Sequence, residues 1–406
     1  MPKLTILYLL DTLQTGGAEK SLLAITSRFT QFTPVFVTLF AGRHDLLSDY
    51  EKAGIKVISL DLLVSNRFKE IARKVDVIVQ EEQAVIVHSS IFRSDMVARH
   101  LQSKVKIVNS LVNNSYRKRR YDGLKFRGKL SLLGVQILDR MTVGKIDLMI
   151  ANSQVLIDSH RKTIGLDPKK AVVVHRGREL PVPFDFAQGD RRQFLVSRTK
   201  IQDSRAEIQE FGMEDWSSMN LVNRKSKISN RIWLCVARLI ERKGHKDLLP
   251  AFAKLLKERP NDRLILAGDG PYREEIEKEI ERLEIGESVD LLGTVSNVDE
   301  LLAQADFFVF PTYFEGLPGS LIEAMMAKVP IICSDIPENK ECIKEGMGLF
   351  HRVGDQGDLL LQMQEAVALD DWDTRTQNAF NYAAEHFEIG KIVRQYEETY
   401  LKLLGI

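Results

Sequence analysis

The sequence lacks the features that mark export, membrane insertion or disulfide stabilisation. Its only cysteines are Cys235, Cys333 and Cys342, and they form no C-x-x-C pair. No apolar run approaches the roughly 20 residues that cross a bilayer. The first run, residues 4–10, is too short and too weakly flanked for an export signal. These absences predict a cytoplasmic protein in a reducing environment whose membrane contacts are peripheral.

The net charge of the whole chain is also close to zero, but its two halves carry opposite charges. The chain has 57 Lys and Arg against 56 Asp and Glu, and a net charge of +1 excludes a uniformly basic nucleic-acid binder. Residues 1–178 hold 29 basic and 16 acidic residues, a net of +13, whereas residues 230–406 carry −12. Since 406 residues are long for one core, we expect two domains of opposite charge.

Short apolar runs alternate with helical patterns in both halves of the chain. Such alternation predicts α/β domains with parallel sheets, and hence two Rossmann-like domains in tandem. Strands are predicted at 3–10, 34–40, 56–60, 84–88, 105–110, 148–151, 171–175, 232–237, 263–267, 289–292, 307–311 and 330–334.

The predicted domain boundaries follow from where this alternation stops. The prediction assigns an N-terminal Rossmann-like domain to residues 1–178, a linker with an insertion to 179–229, a C-terminal Rossmann-like domain to 230–386, and a helix that returns to the N-terminal domain to 387–406. Within the linker, residues 204–213 are predicted to form a short helix.

The densest functional signal is FFVFPTYFEGLPGSLIEAMMAKVPIICSD, residues 307–335. It predicts a buried strand, a loop with glycine and proline, and a helix that begins near Gly319 or Ser320. The free amides and the dipole at such a helix start suit a diphosphate. Glu323, one turn later, suits a ribose diol, and Glu315, beyond the strand end, suits sugar hydroxyls.

Two further signals follow strand ends. In WLCVARLIERKGHKDLL, Arg238 and Lys243 supply cations that can neutralise a departing diphosphate. In LLDTLQTGGAEKSLL, Gly16 and Gly17 open a helix after the first strand. Alone, each pattern is also typical of ordinary surface charge or of a plain strand-to-helix turn.

Taken together, these motifs resemble family 4 glycosyltransferases, the retaining, nucleotide-sugar-dependent class with the GT-B fold of two domains facing across a cleft. The motifs are TGGAE at 15–19, ARLIERKG at 237–244, LAGDGP at 266–271, LLGTVS at 291–296 and the E-x(7)-E element from Glu315 to Glu323. The resemblance is strongest over residues 232–353.

The resemblance implies that residues 1–178 form the acceptor-side domain and residues 230–386 the nucleotide-sugar donor domain, and it implies roles for individual residues. The implied donor-binding residues are Gly16, Gly17, Arg238, Lys243, Gly268, Val295 (through its backbone), Glu315, Gly316, Leu317, Gly319, Ser320, Leu321 and Glu323. The implied catalytic set is Glu315, Arg238, Lys243, His88 and Asn113. Asn113 stands where many relatives carry a histidine, and an amide cannot shuttle a proton. His88 matches another frequent family histidine and is predicted to face the cleft, although a lone histidine at a strand end is more often structural.

A basic stretch, Arg117–Lys129 (RKRRYDGLKFRGK), contains seven basic residues and one acidic residue. Its aromatic and aliphatic neighbours favour an anionic membrane surface, with a solvated acceptor-side loop and nucleic acid as the alternatives. Since nucleic acid is the weakest of the three, we expect no nucleic-acid partner.

The sequence thus predicts a retaining glycosyltransferase with a nucleotide diphosphate donor, a UDP-sugar being favoured, and a glycan or lipid-linked acceptor at the inner face of the membrane. No cofactor and no metal are expected. A sugar-nucleotide epimerase on the same architecture and a non-catalytic sugar-nucleotide binding module remain the alternatives.

Overall fold

Two parallel sheets organise the protein, which is described by a computed structural model for residues 3–14, 16–117, 120–121, 123–179 and 230–406. The predicted linker helix at 204–213 lies outside these residues. The strands are β1 Leu4–Leu10, β2 Phe32–Phe40, β3 Lys56–Leu62, β4 Ile86–Ser90, β5 Lys106–Leu111, β6 Leu148–Ala151, β7 Ala171–Val173, β8 Ile232–Val236, β9 Arg263–Ala267, β10 Val289–Gly293, β11 Phe307–Phe310, β12 Ile331–Ser334 and β13 Leu349–His351.

Helices connect successive strands. They are α1 Gly17–Thr26, α2 Leu47–Lys52, α3 Phe68–Glu81, α4 Phe92–Ala98, α5 Phe126–Thr142, α6 Gln154–Ile164, α7 His245–Leu255, α8 Arg273–Arg282, α9 Val298–Gln304, α10 Gly319–Met326, α11 Pro337–Cys342, α12 Gln356–Ala368, α13 Trp372–His386 and α14 Ile389–Leu404. None of these helices is long and apolar enough to cross a bilayer.

Both sheets have the doubly wound order that the alternation predicts. The first runs β3-β2-β1-β4-β5-β6-β7 and the second runs β10-β9-β8-β11-β12-β13, with all neighbouring strands parallel. The predicted fold class of two Rossmann-like α/β domains is therefore confirmed. In each sheet the strand order reverses beside the first strand, and the carboxyl ends of the strands at that point form a crevice where ligands bind in such folds.

Apolar side chains cover both faces of each sheet, as parallel sheets require. In the second sheet, the fully buried Trp233 stacks on Phe307 with ring centroids 4.4 Å apart. The strand ends that carry the predicted site residues are thus fixed by a continuous core.

The last helix, α14, packs against the N-terminal sheet. Its Ile392, Tyr396 and Tyr400 are buried in the same core as Tyr8 of β1. The Tyr8 and Tyr400 hydroxyls lie 2.8 Å apart. The chain end therefore ties the C-terminal domain to the N-terminal one.

Candidate active site

Glu315 lies at the centre of a cationic cradle beyond β11. Lys243 Nζ donates to its Oε1 over 2.6 Å and Arg242 Nη1 donates to its Oε2 over 3.3 Å. Thr312 Oγ1 adds a hydrogen bond of 2.7 Å. Burial alone would raise the pKa of Glu315, but Lys243 and Arg242 outweigh it and lower the pKa below its ordinary value. Glu315 is therefore held as a carboxylate.

The turn after β8 places Lys243 in this cradle. Gly244 follows it with φ of +76°, a left-handed conformation that favours glycine, and a Cβ there would clash with the Pro311 carbonyl oxygen. Lys243 thereby lies against the strand end of β11, with Nζ 5.1 Å from the Phe310 ring centroid. Arg238, two residues beyond β8, is exposed and free to meet a ligand from solution.

Glu323, on α10, is held by a cation from the other side of the cleft. Arg178 Nε donates to its Oε1 over 2.7 Å, and this guanidinium also lies over Gly319 at the start of α10. Although Arg178 opposes the effect, burial raises the pKa of Glu323. The carboxylate that the sequence predicts for ribose binding is thus paired with an arginine.

Arg178 owes this position to its backbone. Its N–H donates to the Phe387 carbonyl over 2.8 Å, and its own carbonyl accepts from Ile389 over 3.0 Å. Since both bonds join it to the segment before α14, its side chain enters the cleft from a fixed point. Sequence reasoning missed Arg178 because it stands at the end of the N-terminal domain, 145 positions from Glu323.

The predicted glycines lie where backbones approach closely. Gly316 faces the N-terminal domain, and a Cβ there would clash with the Val112 carbonyl oxygen and lie 3.6 Å from Asn113 Cα. Asn113, which is exposed beyond β5, is thereby brought beside the Glu315 loop. Gly268 lies directly after β9 against the Ala237 backbone.

The N-terminal glycine turn also lies at a strand end. Gly16 precedes α1 in an extended conformation, and a Cβ added at Gly17 would meet no described atom within 4 Å. A buried cation, Arg176, reaches the Gly17 carbonyl over 3.3 Å. Thr15 of the same motif lies outside the described residues.

Of the remaining donor residues, Leu317, Ser320 and Val295 are half-buried, and Val295 packs on the core of the second sheet. Leu321 is fully buried in that core, so its side chain does not face the cleft and only its backbone remains available.

The prediction that His88 faces the cleft is wrong for this structure. The side chain is buried in the N-terminal core, with Nδ1 2.6 Å from Tyr400 Oη and Nε2 2.8 Å from Ser110 Oγ. Burial, aided by the Arg176 cation, lowers the pKa of His88 to about 3. A neutral histidine that bonds α14 to the sheet has a structural role.

Further contacts hold the two domains together around the cleft. Arg117, the first residue of the basic stretch, pairs with the buried Glu338 of α11 at 2.8 Å. Glu341 accepts from the free amides of Gln154 and Val155 at the start of α6, at 2.6 and 3.1 Å. A carboxylate at a helix start is favourable, so this contact also stabilises the closed arrangement of the two domains.

In the described ranges, no three His, Cys, Asp or Glu side chains are grouped to hold a metal ion.

Residues 222–387 match the model of the family described as glycosyl transferases group 1. The matched segment contains the second sheet and most of the motifs that carry the resemblance. The resemblance that the motifs indicated is therefore confirmed where it is strongest.

Relatives match over part of their length. An uncharacterized glycosyltransferase of Methanocaldococcus jannaschii is 30% identical over 141 residues, 35% of each chain. A 4-alpha-N-acetylgalactosaminyltransferase of Campylobacter jejuni, named for a diphospho-undecaprenol substrate, is 26% identical over 41% of this chain and 46% of its own. The chain thus spans a third to a half of the length of these curated relatives.

The whole fold matches solved structures. HepE of Anabaena, solved in complex with UDP, superimposes with a TM-score of 0.76 over 98% of this chain and all of its own, at 18% identity. This likeness confirms the GT-B fold.

Proposed function

We propose that this chain is a retaining glycosyltransferase that moves a sugar from a nucleotide diphosphate donor, UDP-linked in our expectation, to a hydroxyl of a lipid-linked or polysaccharide acceptor. The observation that carries the proposal is the pair of carboxylates, Glu315 and Glu323, which accept hydrogen bonds from Lys243, Arg242 and Arg178 beyond the carboxyl end of β11. The exposed Arg238 follows β8, the neighbouring strand. Such a site binds a ligand that offers both hydroxyls and negative charge.

In the proposed reaction the bond between the sugar C1 and the diphosphate oxygen breaks, and its electron pair goes to the diphosphate. Lys243, the exposed Arg238 and the free amides at the start of α10 would stabilise that charge. The acceptor hydroxyl oxygen then bonds to C1, and its proton leaves with the diphosphate or through water. Glu315, fixed as a carboxylate by Lys243, would orient sugar hydroxyls.

The acceptor side is proposed from the N-terminal domain. Asn113 lies beside the Glu315 loop and can hydrogen-bond a hydroxyl. The Campylobacter jejuni relative is named for a lipid-linked substrate, and this supports an acceptor at the inner face of the membrane, met through Arg117–Lys129. Within that stretch, Arg117 is already paired with Glu338, so the other basic residues would provide the lipid contact. Metal-independent transfer without a cofactor stays part of the proposal.

A panel of nucleotide diphosphate sugars, with and without membrane extract, tests this function. We expect release of the nucleotide diphosphate from at least one donor only when extract supplies an acceptor. Conversion of the donor sugar without any acceptor would instead identify an epimerase, and binding without release would identify a non-catalytic module.

A further inference from the structure

Helix α5, which begins within the basic stretch, presents an apolar face to solvent. Six of its large apolar side chains are 45–75% exposed: Phe126, Leu130, Leu133, Ile137, Leu138 and Met141. Five of them recur at intervals of four, three, four and four residues and therefore share one face of the helix. Isolated exposed apolar residues are ordinary, but a contiguous row of this length on a helix marks an interaction surface.

The opposite face of α5 is firmly attached to the domain. Leu132 is buried, and the carboxylate of Asp139 accepts from Arg99 Nη1 at 2.6 Å and from Tyr116 Oη at 2.8 Å. Gln136 adds a bond to the Thr163 carbonyl at 2.9 Å. The helix is thus already docked, and its apolar row is what remains free.

The charged residues beside the apolar row indicate which kind of partner this face binds. Arg127, Lys129 and Arg140 of α5 are exposed, and on a helical wheel they lie on both sides of the apolar row. Asp139 is the only acidic residue of the helix, and both of its oxygens are occupied beneath it. The exposed face therefore carries positive charge and no negative charge.

We propose that α5 lies in the plane of an anionic bilayer surface, with its apolar row in the hydrocarbon boundary and its basic residues on lipid phosphates. This inference rests on the membrane contact proposed above, and it moves the main anchor from Arg117–Lys129 to the helix itself. A second copy of the chain fits less well, because a two-fold interface on this face would oppose like charges with no carboxylate between them.

The placement also has a functional consequence. Asn113 at the cleft and Phe126 at the start of α5 are only 13 positions apart, and Arg117 between them is fixed to Glu338 of the C-terminal domain. A docked α5 would thus hold the acceptor side of the cleft beside the bilayer, where a lipid-linked hydroxyl is presented.

Co-sedimentation of the full chain with vesicles tests the proposal. The vesicles are neutral phosphatidylcholine, or the same lipid containing about a third phosphatidylglycerol. We expect wild-type protein to bind the anionic vesicles, and the double variant Leu130→Glu/Ile137→Glu to bind them at least tenfold more weakly. Leu361→Glu is the matched control, because Leu361 is a 59% exposed leucine on α12 of the other domain, and it should bind as wild type does.

The outcomes separate this inference from the others. If Leu130→Glu/Ile137→Glu binds the anionic vesicles as wild type does, while Lys125→Ser/Lys129→Ser does not bind them, the role of the apolar row would be overturned. The basic stretch would then be the anchor. No binding by the wild type would overturn the membrane contact altogether. A dimer in sedimentation velocity that Leu130→Glu/Ile137→Glu abolishes, without vesicle binding, would assign the face to a second copy. Since no donor is present, none of these results depends on glycosyl transfer.

Discussion

Glu315 and Glu323 belong to one short segment, yet the protein holds them in different ways. The cations on Glu315, Lys243 and Arg242, come from its own domain, and the pKa of this carboxyl is lowered. The cation on Glu323 is Arg178, which enters from the end of the N-terminal domain, and the pKa of this carboxyl is raised.

This difference separates a fixed element of the site from a replaceable one. The Glu315 cradle is complete within the C-terminal domain and does not depend on how the domains are placed. The Arg178 contact with Glu323 forms only when the domains are together, and it occupies the carboxylate that a ribose would need. A bound donor is therefore expected to displace Arg178 from Glu323 toward the diphosphate at the start of α10.

The largest expected effect is that of Lys243→Ala. It leaves Glu315 buried without its closest cation and removes a charge from the proposed diphosphate site. Breaking a buried pair costs about 3 kcal/mol of unfolding free energy, and losing such a stabilising group lowers turnover by about 10²-fold or more. Denaturant unfolding measures the loss of stability, and nucleotide release measures the loss of turnover. Lys254→Ala, at an exposed lysine of α7, is the control, and an unchanged unfolding free energy for Lys243→Ala would contradict the cradle.

Two glycine substitutions come next, because they probe the two carboxylates at the domain contact. Alanine at Gly316 meets the Val112 backbone, whereas alanine at Gly319 meets the end of the flexible Arg178 side chain. We expect Gly316→Ala to hold the domains apart, with a larger radius of gyration in X-ray scattering and about tenfold slower turnover, about 1.4 kcal/mol in the barrier. Gly319→Ala should leave the radius of gyration unchanged, because the flexible Arg178 side chain can move aside. Equal effects of the two variants would show that closure does not run through the Gly316 contact.

Arg178→Ala is expected to weaken UDP binding. The guanidinium lies over the start of α10, where the diphosphate is proposed to bind, so its loss should raise the dissociation constant about tenfold, a change of about 1.4 kcal/mol. Calorimetric titration of UDP measures this dissociation constant, and the value for Arg178→Lys should lie between those for wild type and Arg178→Ala. Tighter binding by Arg178→Ala would instead show that Arg178 only blocks Glu323.

The smallest effect is on the pH dependence of stability. The free energy of unfolding of the wild type, relative to that of Glu315→Gln, should decrease as the pH drops below 4.5. A carboxyl whose pKa is lowered in the folded state stabilises the fold while it is ionised, and this stabilisation is lost when the carboxyl takes up a proton. The free energy of unfolding of the wild type, relative to that of Glu323→Gln, should increase as the pH drops toward 4.5. The reason is that Glu323 has a raised pKa in the folded state and is protonated there at a higher pH than in the unfolded chain. The two slopes are thus expected to have opposite signs, and slopes of the same sign in pH-dependent urea unfolding would contradict the comparison.

The sequence accounts for the contact of Glu315 with Lys243 but not for the contact of Glu323 with Arg178. Glu315 and Lys243 were found because both follow predicted strands of one sheet, whose carboxyl ends meet at one edge. Arg178 could not be found, because its approach to Glu323 depends on how two domains are joined. His88 was misplaced since a strand pattern identifies alternate faces but not which element, here α14, covers them.

Helix α5 shows the same limit on the fold. The apolar residues of α5 recur at helical spacing, and such a face ordinarily packs against the core. Here the domain holds α5 instead through Leu132 and Asp139, and the apolar row faces outward. What covers a face is a property of tertiary packing, and no local pattern specifies it.

The most direct measurement of the central claim is a calorimetric titration of UDP, with GDP and ADP for comparison, into wild-type protein and into Glu323→Ala. We predict saturable binding of one nucleotide per chain to the wild type, and at least tenfold weaker binding to Glu323→Ala with an unchanged unfolding midpoint. The same dissociation constant for both proteins would contradict a nucleotide site at Glu323.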